Sequence, residues 1–326
     1  MEGQGFFKEL NIESKRYSVF PMYGNLGGMK EETEEIIVAS GALSQLGRVL
    51  KRYFRDNSEV LIVADSNTAR VALHSTLDEL AKSNYRVIQP LIFSSPPTIG
   101  ANEDTIGEAA TYIKSFPQAV PIAIGSGTLN DIVKMAAHLN NRRYISIATA
   151  SSVDGFTSFG ASVTYKGFKH TQQCKAPIAL IADQDILTRA PYRLTSAGWG
   201  DLVAKIPSGG DWLLANIVEG EVIDKHIWDL VNENLVEKAN NVHLIREKNP
   251  QAIGELFLHL AKTGIAMQLT RSSRPASGGE HLISHIWEMD HLCFEGESLL
   301  HGHKVFLGSL ITTALYEYLF SLNVIH

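Results

Sequence analysis

Cysteine is nearly absent: Cys174 and Cys293 are the only two in 326 residues. That excludes a disulfide framework and a Cys-x-x-Cys metal site, and makes a reducing, cytoplasmic setting the expectation. Long apolar runs are missing too. No stretch approaches the roughly 18 consecutive apolar residues of a membrane span. The opening MEGQGFFKELNIESKR has acidic residues early and no apolar core, unlike a signal peptide. A basic surplus is also lacking: 29 Lys and Arg stand against 35 Asp and Glu, a net charge of -6, which argues against a nucleic-acid binder. A phosphorylated small molecule stays open as a ligand, because a local arginine cluster outweighs the global sum at a pocket. No internal repeat or low-complexity tract is present.

What the chain does have is alternation. EVLIVAD (59–65), YRVIQPLIF (85–93), AVPIAIGSG (119–127), YISIAT (144–149) and APIALIAD (176–183) are apolar runs of strand length. Amphipathic helical patterns at 67–83, 103–116 and 128–139 separate the first four. Strands apolar on both faces with helices between them imply a parallel, Rossmann-like sheet with right-handed crossovers. ASVTYKGFKHT (161–171) is read as a hairpin turning at Lys166-Gly167. After about Thr188 only helical patterns follow, at 195–207, 210–218, 225–245, 252–270, 279–292 and 304–322. The expected architecture is an α/β domain over 1–187 and an all-helical domain over 188–326, with a ligand cleft between them.

Three groups of residues carry chemistry. AIGSGTLND (123–131) puts glycines at a strand end opening a helix, either a phosphate-binding turn or a merely tight connection. Asp65 ends another strand, where it would meet a ribose or cap the next helix. TASSVDGFTSFG (149–160) gathers Thr149, Ser151, Ser152, Thr157 and Ser158 around Asp154-Gly155, as turn chemistry or as part of the same crevice. Asp201 follows a Gly-x-Gly entry into a helix. His281 and His285 share one helical face, and His301 and His303 flank Gly302. The plainer reading of each histidine is packing or surface, since the chain has 12 of them.

GSGTLND, ATASSVDGFTS, SAGWGDLVAK, SRPASGGEHLISH and LLHGHKV together resemble the sn-glycerol-1-phosphate dehydrogenases, within the iron-containing alcohol dehydrogenase and dehydroquinate synthase-like superfamily. The motifs stand in family order and span Gly125 to Val305. The resemblance implies an NAD(P)-binding α/β domain, a helical metal- and substrate-binding domain, and a divalent metal, zinc first and nickel or iron next. Carried over, the metal ligands are Asp201, His281 and His301. The dinucleotide contacts are Gly125, Ser126, Gly127, Thr128, Leu129, Thr149, Ser152 and Ser158, to which Asp65 is added from its place at a strand end. Asp154 would hold a substrate hydroxyl, and His285 would contact substrate and pass a proton. The implied reaction interconverts dihydroxyacetone phosphate and sn-glycerol 1-phosphate, with phospholipid synthesis as its setting.

One carboxylate and two imidazoles leave a coordination position open, as catalysis requires. Arg271 and Arg274 are candidate phosphate contacts on the chemistry of guanidinium, against surface residues flanking a loop. Lys205 is read as a solvated helical lysine, and His303 as a non-ligand. Family members continue with more helix beyond HGHKV, so the helical domain looks short, and the apolar FLGSLITTALYEYLF is expected to favour a homo-oligomer. The rival readings are a glycerol or polyol dehydrogenase, a cyclase of the dehydroquinate synthase branch (which carries glutamate where Asp201 stands), and a shortened non-catalytic nucleotide-binding paralogue.

Overall fold

The structure, a computed structural model, describes residues 8–12, 15–20, 32–54, 59–94, 99–290 and 292–322. Residues 1–7 of the opening segment and His291 lie outside them. In chain order the first part comprises β1 (Lys8–Ile12), β2 (Lys15–Phe20), β3 (Glu35–Ala39), α1 (Leu46–Tyr53), β4 (Glu59–Asp65), α2 (Ser66–Thr68) and α3 (His74–Lys82). It continues with β5 (Arg86–Val87), β6 (Leu91–Phe93), α4 (Glu103–Ser115), β7 (Val120–Gly125), α5 (Gly127–Leu139), β8 (Ile145–Ala148), β9 (Gly160–Tyr165), β10 (Phe168–Gln173) and β11 (Ala179–Asp183). Helices follow: α6 (Gln184–Leu187), α7 (Tyr192–Val203), α8 (Lys205–Glu219), α9 (Lys225–Asn232), α10 (Leu235–Asn240), α11 (Val242–Arg246), α12 (Pro250–Thr270) and α13 (Gly279–Met289). A small hairpin, β12 (Cys293–Phe294) and β13 (Glu297–Ser298), precedes α14 (His301–Ser321).

The main sheet runs β1-β2-β3-β11-β8-β7-β4-β5, with β6 also on β4; it is parallel from β3 onward and antiparallel at β1 and β2. Strands β3, β7, β8 and β11 are buried throughout, which is why they read as unbroken apolar runs. The α/β reading is correct, with additions. Strands β1 to β3 were not anticipated. The run at 85–93 divides into β5 and β6 around Pro90, which has no N–H to give the ladder. The helix expected over 225–245 is three helices, interrupted where Asn234 takes a left-handed φ of 56° and again at Asn241. The hairpin β9–β10 turns at Lys166 (φ 50°) and Gly167 (φ 82°), as a tight two-residue turn demands. Strands do recur late, as β12 and β13.

One face of the sheet is covered mainly by helices of the first part. The other lies under α12, where Ile36, Val38, Leu180 and Ala182 pack with Phe257, Ala261 and Ile265. The core is therefore continuous from the sheet into the helices. Helices α7 and α14 touch through their backbones. A Cβ on Gly302 would lie 1.9 Å from the Ala197 carbonyl oxygen, and one on Gly200 2.4 Å from that of Gly302. This approach sets Asp201 beside His301. No helix among the described residues is long and apolar enough to cross a membrane.

Helix α12 also buries His259. Its Nε2 donates to the Val231 carbonyl at 2.7 Å, so Nδ1 holds the lone pair and accepts from Lys238 Nζ at 3.3 Å. Burial, aided by the Lys238 charge, pushes the imidazole down to about 3 from its ordinary 6.5.

Two stability predictions follow from these contacts. Gly302→Ala should cost about 1–3 kcal/mol by overpacking, whereas Gly107→Ala, facing open space in α4, should stabilise by up to about 1 kcal/mol; urea denaturation measures both. Between pH 6.5 and 3 the unfolded chain protonates His259 and the folded chain does not. Stability is therefore lost as pH falls through this window, by up to about 1.4 kcal/mol per unit from this residue. His259→Gln should flatten that part of the stability–pH curve.

Candidate metal and dinucleotide cleft

Asp201 on α7, His281 in the first turn of α13 and His301 opening α14 meet at one point. A ligand atom from each lies within 4.8 Å of the other two. His281 Nε2 is 3.9 Å from Asp201 Oδ1, and the His281 and His301 ring centres are 5.4 Å apart. Behind each imidazole stands a carboxylate: Glu280 Oε1 at 2.7 Å from His281 Nδ1, and Glu288 Oε1 at 2.8 Å from His301 Nδ1. A carboxylate only accepts, so Nδ1 carries the proton and Nε2 presents a lone pair inward. Two lone pairs and a carboxylate converging on one point suit a divalent cation, and carboxylate-backed histidines are what metal sites use.

Lys205 corrects the sequence reading: it is fully buried, not solvated. Its Nζ lies 2.8 Å from Asp201 Oδ1, 2.7 Å from Asp154 Oδ2 and 3.1 Å from the Ala276 carbonyl. The four-residue spacing puts it over Asp201, and the chain after β8 brings Asp154 to it. The Asp154 N–H also donates to Asp201 Oδ2 at 3.0 Å. Burial pushes the Asp201 carboxyl up, but Lys205, His301 and His281 outweigh it and hold it at about 2. Burial likewise pulls Lys205 down, and Asp154 and Asp201 more than reverse this.

A second buried lysine, Lys134 on α5, binds the carbonyls of Gly155 (2.7 Å) and Gly160 (2.9 Å) and the Ser158 hydroxyl (3.2 Å). It pins the segment that carries Asp154 and Ser158. One cavity of about 420 Å³ has Gly127, Thr128, Asp154 and Ser158 along one part of its wall and His281, His285 and His301 along another. The glycine turn and the histidine cluster therefore open on the same space. The His285 ring centre is 6.4 Å from those of both His281 and His301. Burial first, then the neighbouring histidines, pushes its imidazole below the ordinary value.

The other expected cofactor residues are more varied. Gly125 ends β7, and Ser126 precedes α5 without a side-chain cap bond, so the first N–H groups of a 13-residue helix stay available to an anion. The Thr149 N–H donates to the Gly125 carbonyl at 3.0 Å, and Ser152 is buried nearby in sequence. The Leu129 side chain belongs to the core, leaving only its backbone for a ligand. Asp65 caps its own helix, accepting from the N–H groups of Asn67 (2.7 Å) and Thr68 (2.9 Å).

The two arginines each pair with a glutamate. Arg271, turned outward as the left-handed residue ending α12, pairs with Glu32 at 2.8 Å and does not line the cavity. Arg274 pairs with Glu221 at 3.0 Å and opens on an adjoining recess of about 560 Å³ that shares His281 and His285. His303 contacts the Ser196 hydroxyl at 3.0 Å and stays out of the cluster. Sequence reasoning missed Glu280 and Glu288, and with them Lys169, whose Nζ lies 2.9 Å from Glu288 Oε2. For Glu288 a signal existed: it lies two helical turns after His281, on the same face.

The sequence matches the iron-containing alcohol dehydrogenase family over residues 37–191. A glycerol-1-phosphate dehydrogenase of Geobacillus thermodenitrificans is 35% identical over 292 residues, which cover 88% of this chain and 70% of that protein. The chain belongs to the glycerol-1-phosphate dehydrogenase family. A Bacillus subtilis member of this family is 36% identical over 287 residues, covering 88% of this chain and 72% of its own. The fold resembles that of the glycerol dehydrogenase from Schizosaccharomyces pombe, with a TM-score of 0.68 at 18% identity over 95% of this chain and 74% of that one.

If Glu280 orients His281 for a cation, Glu280→Gln should weaken zinc binding at least about ten-fold. Competition against a chromophoric chelator reads this directly, and an unchanged affinity removes the role.

Proposed function

We propose that the protein is a metal-dependent, NAD(P)-linked oxidoreductase that interconverts dihydroxyacetone phosphate and sn-glycerol 1-phosphate. The observation that carries this is the Asp201–His281–His301 cluster opening on the same cavity as the glycine turn at the head of α5. The glycerol-1-phosphate dehydrogenase names of the relatives support it. In this reading residues 1–187 bind the dinucleotide and residues 188–326 bind metal and substrate. Asp201, His281 and His301 would hold the divalent ion; zinc is the first choice, and nickel and iron also suit one oxygen and two nitrogen donors. When bound, the ion supplies Lewis acidity at the substrate carbonyl, and the dinucleotide supplies hydride.

The chain's own residues do the rest. The head of α5, from Gly125 to Leu129, offers backbone N–H groups to the pyrophosphate, with Thr149, Ser152 and Ser158 alongside and Asp65 at the sheet edge toward the ribose. Asp154, oriented by Lys205, accepts a hydrogen bond from a substrate hydroxyl. His285, beside the histidine cluster and on the cavity wall, relays a proton to the new hydroxyl oxygen, taking it up at one ring nitrogen as the other releases it. A cytoplasmic setting, a role in phospholipid synthesis, and self-association through exposed side chains such as Leu310, Ile311 and Phe320 complete the reading.

Purified protein loaded with zinc should oxidise NADH or NADPH when dihydroxyacetone phosphate is added. Asp201→Ala should lose both the bound zinc and the turnover. Wild-type rates in that variant would end the proposal. Turnover of unphosphorylated dihydroxyacetone at equal efficiency would shift it to a polyol dehydrogenase.

A further inference from the structure

A dianionic phosphate in the cleft needs a cation, and the two arginines named from sequence do not line the cavity that holds the cluster. Among the described residues lining that cavity, Lys169 is the only lysine or arginine. We propose that one face of the β9–β10 hairpin recognises the substrate's phosphate, with the Lys169 ammonium as the cation and the hydroxyls of Ser162, Thr164 and Thr171 as donors. The proposal rests on the phosphorylated-substrate reading given above.

The register makes this face. Lys169 pairs with Thr164, and Thr171 with Ser162. Side chains opposite each other, and two residues apart on one strand, point the same way. All four line the cavity, while the alternate residues Val163, Phe168 and His170 do not. The hairpin thus presents three hydroxyls and one ammonium beside the histidines.

Lys169 is also tied to the histidine side of the cleft. Its Nζ is 2.9 Å from Glu288 Oε2, while the other oxygen of Glu288 holds His301. An ammonium has three donor hydrogens on a long stem, so it can bind a phosphate oxygen without leaving Glu288. Lys169 is itself exposed, and two buried cations near the cavity are committed. Lys134 is taken up by loop carbonyls and Lys205 by two carboxylates. The one carboxylate on the hairpin's side, Asp131, accepts from the Ser162 backbone N–H at 3.1 Å and lies 3.6 Å from Lys134.

The test uses the full-length, zinc-loaded chain as wild type, Lys169→Met, Lys169→Arg and Arg274→Ala. The measurements are KM and kcat for dihydroxyacetone phosphate with each cofactor, calorimetric binding of inorganic phosphate, zinc content and NADH affinity. In Lys169→Met, the KM for dihydroxyacetone phosphate and the Kd for phosphate should rise on the order of 10- to 100-fold. Zinc content and NADH affinity should stay within about threefold, and Lys169→Arg should recover most of the loss.

Unchanged phosphate binding in Lys169→Met overturns the proposal. So does a parallel fall in zinc content, which would make Lys169 a prop for Glu288 and His301. A loss confined to NADPH would assign the ammonium to the cofactor's extra phosphate, and a larger loss in Arg274→Ala would assign substrate recognition to the adjoining recess; each overturns it as well. A wild type whose phosphate binding depends on Lys169, yet which does not reduce dihydroxyacetone phosphate, would keep the anion site and end the functional reading instead.

Discussion

A single buried ammonium, that of Lys205, bonds carboxylates from both halves of the chain: Asp154 after the sheet strand β8 and Asp201 on α7. Neither acid could be buried there alone, because an unpaired charge in a dry interior is far costlier than a paired one. Removing one partner from such a group costs about 3–5 kcal/mol, a large share of an ordinary domain's stability. The clasp also leaves one negative charge unbalanced, next to two imidazole lone pairs. A cation completes that arrangement electrostatically, and the fold holds the three donor groups in place before one arrives.

The clasp works because the backbones around it come unusually close. Gly200 and Gly302 bring α7 and α14 into backbone contact, and each glycine adjoins a member of the cluster, Asp201 and His301. A side chain at either position would push the helices apart and separate those ligand atoms. Helix α12 does the complementary job on the sheet, packing Phe257 and Ile265 against Leu180 and Ala182. The helical and α/β parts are thus joined twice, by an apolar layer under the sheet and by an ion pair at its carboxyl edge. The cavity lies at the second junction.

What could be read from sequence followed from what local patterns encode. Strands β4, β7, β8 and β11 are buried on both faces, so their composition alone reveals them. The hairpin announces itself at Lys166-Gly167, and the motif-bearing residues Asp201, His281 and His301 do meet. The break at Asn234 stayed hidden because asparagine tolerates left-handed backbone without advertising it. Lys205 was misjudged because a lysine four residues after an aspartate on a helix reads equally as a solvated pair. Only the arrival of Asp154, 51 positions earlier in the chain, buries it. Arg271 and Arg274, read as phosphate contacts or as surface residues flanking a loop, part company in the structure. Arg271 pairs with Glu32 away from the cavity, and Arg274 pairs with Glu221 on the adjoining recess that it shares with His281 and His285.

The net charge of -6 is no obstacle to an anionic ligand, and the geometry explains why. Fields from exposed groups fade over about 8 Å at physiological salt, so the sum over the surface has little say inside the cleft. There each acid has a local partner: Asp154 and Asp201 share Lys205, Glu280 accepts from His281 and the Gly278 N–H, and Glu288 bonds His301 and Lys169. The same cavity is lined by the head of α5, by the hairpin hydroxyls of Ser162, Thr164 and Thr171, and by Lys169. Local pairing therefore decides what the pocket accepts, and an acidic protein can present an anion site without reversing its overall charge.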